Sequence, residues 1–289
     1  DQIFYLKVNT INGEIIYNTS HKIKKDSKLK IVNLGFPIEL INQIKNIEIV
    51  GQNHAGAKYY FDDFSKKKNI VILTENQFYK ESPLLSPVYY LNKSLNSKHL
   101  LTISKIDKVI TQNYSTIIVP ETIKIPNEFK SNLKSWLLSG GTLIRFAGKG
   151  LVGQKSDFLP VQSSVGSIRS IDGQLTINKN LYISEFEKNS VFYGLEIPAD
   201  ITITKQLIFN DTSDGVKILA KLNDGTPLVS MRNFGQGKII LFHIGANNNW
   251  SDLPISSLFP DMLHRVLLFS KYKTSSNLEN LSLTKEIDG

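Results

Sequence analysis

The sequence predicts a mixed α/β fold built on a parallel sheet, and three observations carry that expectation. Short apolar runs without polar alternation, "KKNIVILTEN", "YSTIIVPE", "GTLIRFAG" and "KIILFHIG", read as strands buried on both faces. An amphipathic pattern, "PNEFKSNLKSWLLS", lies between two of them and reads as a helix with Phe129, Leu133, Trp136 and Leu137 as its apolar stripe. Helices threaded between such strands require parallel pairing. Together these give a doubly wound, flavodoxin-like sheet flanked by helices, in which ligands sit at the carboxyl ends of the strands.

Residues 1–64 contain no long helical pattern. "IFYLKVNT", "GEIIYNTSHKI", "KLKIVNL", "NIEIVGQ" and "AKYYFDD" are short and rich in β-branched and aromatic residues, punctuated by Asn12-Gly13 and Gly35. They predict a small β-sandwich-like domain, with "PIELINQIK" supplying a turn of helix. The α/β domain is expected over 65–271. Its first helix is predicted to start at Ser82-Pro83, a cap residue followed by a proline in the first turn. "HLLTIS" is the strand after it. The helix over 126–139 stops at Gly140-Gly141. Within this domain, 151–235 reads as a β-rich antiparallel insertion with turns at Asp172-Gly173 and Asp224-Gly225. "SSLFPDMLHRVLLFS" is the closing helix, and 272–289 a polar tail or linker.

Composition narrows the function classes. Hydrophobic residues make up 41% and charged residues 21% of 289, as in an ordinary folded domain. No apolar run is long enough to span a bilayer. The start, "DQIFYLKVNT", lacks Met and already alternates like a strand, so the chain reads as a piece of a longer protein. The net charge is +8 and the pI about 9.3. That excess is almost all scattered lysine. Arginine occurs only at 145, 169, 232 and 265, so nucleic-acid binding is not expected. The absence of cysteine excludes disulfides, thiolate metal sites and cysteine nucleophiles. His21, His54, His99, His243 and His264 are dispersed without metal-ligand spacing, so no metal is expected. No Walker loop, dinucleotide fingerprint or GxSxG elbow occurs, and no cofactor is expected.

The strand ends nominate the site. Glu75 and Glu121 close neighbouring strands and would serve as acid and base if they shared a crevice; the plainer reading is two exposed loop carboxylates. His243 is either a catalytic base or ligand, or a hydrogen-bonded histidine at a strand end. Asn247, Trp250 and Asp252 either hold a polar ligand or form a helix entry, with Ser251 or Asp252 as cap, Pro254 in the first turn and Trp250 as a packed anchor. Asp62-Asp63 is either a cation site or a solvated turn.

"WLLSGGTLIRFAG" and "DGTPLVSMRNFGQGKIILFHIGANNNWSDLPISSLFPDMLHRV" resemble the class I glutamine-amidotransferase-like domain of bacterial BatA-type membrane proteins, which are aerotolerance-like and carry two transmembrane helices. "KYYFDDFSKKKNIVIL" and "SPLLSPVYYLNKSL" share in the resemblance, which spans about 55–270 with Trp250–Pro254 as its most specific part. It implies an inner-membrane parent, this domain facing the periplasm, membrane attachment only through segments outside this chain, and association with a MoxR-type ATPase. It places Ala147, followed by Gly148, near the position of the nucleophilic cysteine, and His243 at the catalytic histidine's strand end. Gly245 stands where the acidic partner belongs. A methyl group cannot attack a carbonyl, so no glutaminase activity is expected. The domain is then a non-catalytic one acting through protein or ligand binding, with Ala147, Gly148, His243, Asn247, Trp250 and Asp252 as candidate contacts. The alternative is a hydrolase or sugar-processing enzyme that uses Glu75, Glu121 and His243.

Overall fold

The computed structural model describes residues 2–24, 30–34, 36, 40, 43–61, 68–75, 83–96, 99–121, 123–152, 156–161, 166–170, 181–209 and 214–270. The Asp62-Asp63 pair, the Ser82 cap, the Asp172-Gly173 turn, most of "PIELINQIK" and the 272–289 tail lie outside them. The chain divides into two compact units, 1–67 and 68–289.

The first unit holds β1 (Gln2–Thr10), β2 (Ile15–Ile23), β3 (Ile44–Ile49) and β4 (Lys58–Tyr60). They form one antiparallel sheet in the order β2-β1-β3-β4. The β1–β2 hairpin turns at Asn12-Gly13, where Gly13 takes a φ of 83° that a side chain would resist. The expected sandwich is a single sheet among the described residues. Residues 30–34 of "KLKIVNL" form no strand, because that segment alternates lysine with apolar residues over too short a run to hold a partner by itself.

The second unit is built on seven strands in the order β11-β12-β13-β8-β7-β5-β6. These are β5 (Asn69–Leu73), β6 (Leu100–Ser104), β7 (Thr116–Val119), β8 (Thr142–Phe146), β11 (Val216–Lys221), β12 (Pro227–Phe234) and β13 (Gly237–Phe242). The five strands from β13 to β6 pair in parallel. The β11–β12 hairpin extends them antiparallel. A separate ribbon joins β9 (Ser167–Ser170) and β10 (Lys205–Ile208).

The central strands are predominantly apolar, Arg145 on β8 apart, because both sheet faces are covered. Ile70, Ile72, Ile118, Ile144, Phe146, Ile240 and Phe242 face a core shared with α1 (Pro87–Leu95) and α3 (Leu258–Leu267). Their neighbours Val71, Leu73, Ile117, Val119, Leu143 and Ile239 face α2 (Asn127–Leu138) through Leu133, Trp136 and Leu137. Each fully buried side chain of this kind contributes about 1.5–3 kcal/mol. The α2 stripe and its stop match the sequence pattern. Gly141 lets the indole of Trp136 lie against the backbone, since a Cβ there would stand 2.3 Å from the ring.

Two helix starts differ from expectation. Pro83–Leu85 is a single 3-10 turn, and α1 begins at Pro87. Likewise Leu253–Ile255 is a 3-10 turn, and α3 begins at Leu258. A proline fits the first turn of either helix type, so a serine shortly before a proline marks the neighbourhood of a start without fixing it.

No α-helix follows β8 on the way to β13 among the described residues, only a 3-10 turn at Lys149–Leu151. The segment 156–161 lies on the α2 side of the sheet instead, with Phe158 in the α2 core and Leu159 in a small cluster with Ala147, Leu207, Leu241 and Trp250. At the sheet's far side the outer edge of β11 is also occupied. Ser184 N donates to Lys221 O at 3.0 Å, Ser190 Oγ to Leu219 O at 2.6 Å, and Ile183 bridges Leu222.

Candidate functional site at the carboxyl ends of the parallel strands

Four strands end on one rim. Thr74-Glu75 follows β5, Pro120-Glu121 follows β7, Ala147-Gly148 follows β8 and His243–Gly245 follows β13. β5 and β7 are adjacent although β6 intervenes in sequence. The chain reverses its direction of travel across the sheet there, which is where open α/β sheets place their ligands.

Glu121 is the focus of what this rim assembles. Its Oε2 accepts a 3.4 Å hydrogen bond from Ala246 N. Burial raises its pKa above the ordinary carboxylate range, opposed by its own backbone N–H and by that of Ala246. Gly148 makes room for it, and Gly245 lies beside it. A Cβ on Gly148 would stand 2.3 Å from the Glu121 Cβ, so only glycine permits that approach. A Cβ on Gly245 would stand 3.4 Å from both Glu121 Oε1 and Asn247 Oδ1. Asn247 is buried; its Nδ2 donates to Leu85 O at 3.3 Å, and its Oδ1 accepts from Asn249 N at 3.2 Å. Glu121, Gly148, Gly245 and Asn247 therefore form one polar niche.

The remaining predicted residues serve elsewhere. His243 is fully buried. Its Nδ1–H donates to Leu207 O at 2.8 Å, and its Nε2 stands 2.8 Å from Ser230 Oγ, which donates to it. The edge of the Phe209 ring meets the imidazole at 5.7 Å. Burial pushes its pKa down to about 4, against the pull of the Leu207 carbonyl. Both ring nitrogens are engaged, so it has no lone pair to offer a substrate. The alternative of a hydrolase that uses His243 would require carboxylates at its ring, and the ring bonds neither Glu75, Glu121 nor Asp252.

Ala147 is fully buried, and its N–H is shared between Phe242 O at 2.9 Å and Ile244 O at 3.0 Å. The strand pairing thus runs on past β8 where a nucleophile turn would leave it. Asp252 does not cap α3. It accepts hydrogen bonds from Thr202 N at 3.4 Å and from Thr202 Oγ1. Trp250 is 8% exposed and packs with Ala147, Leu151, Leu159 and Leu207. Its carbonyl accepts from Thr204 N and Lys205 N. Glu75 is exposed, and its carboxylate bonds no described residue.

Sequence reasoning missed Ser230 and Leu207, the partners that tie down His243. No local signal marks them, since they lie 13 and 36 residues away. It also passed over Arg145, although a charged residue inside "TLIRF" is a visible anomaly in a doubly buried strand. Among the described residues no group of three or more His, Cys, Asp or Glu could hold a metal, and no helix is long and apolar enough to cross a membrane. A hollow of about 180 Å³ lies at the C-terminal end of β11, lined by Phe186, Leu219 and Lys221 among others.

No family model matches the chain, and no curated protein matches it. Solved structures do. A β-galactosidase from Rahnella sp. R3 superposes with a TM-score of 0.50 at 13% identity, covering 72% of this chain and 32% of that one. A cytoplasmic protein from Salmonella typhimurium LT2 gives 0.50 at 14% identity, covering 70% and 99%. A ThuA-like protein from Bacteroides uniformis gives 0.48 at 14% identity, covering 75% and 96%. Identities this low speak to the α/β fold alone.

Proposed function

We propose that the chain carries a non-catalytic, amidotransferase-like domain with a flavodoxin-like sheet, and that it recognises a ligand or protein at the Glu121 niche. Numbering the five parallel strands by sequence gives the order 2-1-3-4-5, which supports the flavodoxin-like reading. One observation supports the non-catalytic reading: at the two positions that the resemblance gives to nucleophile and base, the chain carries the methyl of Ala147 and a His243 ring with both nitrogens bonded. What remains on the rim is a carboxyl group in a glycine-lined niche, which recognises by hydrogen bonding.

By the same reading the domain belongs to an envelope-anchored bacterial protein of the BatA type, faces the periplasm and works alongside a MoxR-type ATPase. Its support is the Trp250–Pro254 block and the strand segments quoted above.

The test is ammonia release from glutamine by the purified chain and by Ala147→Cys. Neither is expected to release any. Activity in the first would overturn the non-catalytic reading, and activity in the second would overturn the claim that His243 is unavailable. A carbohydrate hydrolase is favoured by one feature only, the raised pKa of Glu121 at the strand ends, which suits a general acid. Nitrophenyl glycosides added to the same assay separate the two: turnover abolished by Glu121→Gln would select the hydrolase.

A further inference from the structure

Two of the chain's four arginines converge beneath the 156–161 segment. Arg145 lies on β8 and Arg232 on β12, with β13 between them. The register aligns Arg145 with Leu241 and Arg232 with Ile239, so both project from the α2 face of the sheet. They reach consecutive carbonyls. Arg145 donates to Phe158 O at 3.5 Å, while Arg232 donates to Asp157 O at 2.8 Å and Leu159 O at 3.2 Å.

Asp157 and the Phe234 ring, 5.6 Å away, partly meet the charge of Arg232, but among the described residues nothing meets that of Arg145. Arg145 is 4% exposed, and its single bond is at the limit of hydrogen-bonding distance. The Nε–H of each arginine is buried without a partner among the described residues. Asp157 acts on Arg232 but not on Arg145, whose pKa burial alone lowers to about 10, leaving it a cation at neutral pH. Residues 149–165 contain no other acidic residue. A buried cation with no counter-charge is strongly disfavoured, and guanidinium donors match the oxygens of a phosphate or carboxylate.

We propose that Arg145 and Arg232 form the floor of a binding site for a small oxyanion, inorganic phosphate or the carboxylate of an organic acid, entered from the half-buried Arg232 side. Size follows from burial, because Arg145 admits only a ligand of a few atoms. The site lies on the sheet face, apart from the Glu121 niche, and does not depend on the reading given to that niche.

The experiment is thermal melting and calorimetric titration of the full chain with sodium phosphate and with sodium succinate, each against sodium chloride at equal ionic strength. A saturable rise in melting temperature with phosphate, succinate or both is expected, and the effective anion identifies the source. Absence of saturation beyond the chloride control overturns the site. Arg232→Gln, whose side chain is only half-buried, is expected to weaken binding tenfold or more, while the exposed Lys130→Gln leaves it unchanged. Equal binding by Arg232→Gln and the parent chain also overturns it. Arg145→Met is expected to lose the anion response and, in chloride, to melt no lower than the parent; a lower melting temperature would mark Arg145 as a purely structural anchor. If Arg145→Met does not fold, the parent titration and Arg232→Gln still decide.

Discussion

At the scale of single residues, His243 is informative because its chemistry is determined by neighbours far away in sequence. Between its unfolded pKa near 6.5 and its folded value of about 4, the unfolded chain binds a proton that the folded chain refuses. The stabilisation it confers is complete above pH 6.5 and is lost as the pH falls toward 4. Over that interval the loss reaches roughly 3 kcal/mol, from about 1.4 kcal/mol per pH unit. Urea melts at pH 7, 5.5 and 4.5 should show this loss, and His243→Gln should flatten it even where the variant is less stable throughout. A parent chain whose stability is constant from 6.5 to 4.5 would contradict the buried, neutral imidazole. The sequence places His243 correctly at the end of a strand, because "KIILFH" is a legible apolar run. It cannot reveal that Leu207 and Ser230 occupy both nitrogens, since that depends on β10 and β12 closing over the ring.

Among the elements, α2 was the most legible and the turn before α3 the least. The α2 stripe repeats at helical spacing and ends on glycines, so local chemistry and packing agree. Before α3, Ser251, Asp252 and Pro254 have the composition of a helix start, but tertiary partners claim them: Asp252 fastens to Thr202, and Ser251 bridges Ile203. Trp250 anchors this segment. It fills the cluster beneath the 156–161 segment, and its carbonyl holds the start of β10. Trp250→Ala is expected to destabilise by about 3–5 kcal/mol, the usual cost of emptying a packed aromatic site, as read by denaturant midpoint at unchanged slope. A loss under 1 kcal/mol would show that the indole packs little. The small sheet of the first unit was legible strand by strand except at 30–34, where short lysine-bearing alternation imitates a strand with no partner to complete it.

For the whole molecule, the sequence conveys the layer order because buried parallel strands announce themselves by uninterrupted apolar runs. The expected boundary at 64/65 lies three residues before the division at 67/68. Each unit has its own buried residues, Val8 and Ile44 in the first and the two sheet-face cores in the second. Residues 68–289 expressed alone are therefore expected to unfold in one cooperative calorimetric transition. A gradual, featureless loss of circular dichroism would argue against an independent core. The edge of β11 has a further bearing on how the protein behaves in a crowded cell. The carbonyls of Leu219 and Lys221 on that edge are already taken by Ser190 and Ser184 of the same chain, so over that stretch the sheet is guarded against edge-to-edge pairing with a foreign strand.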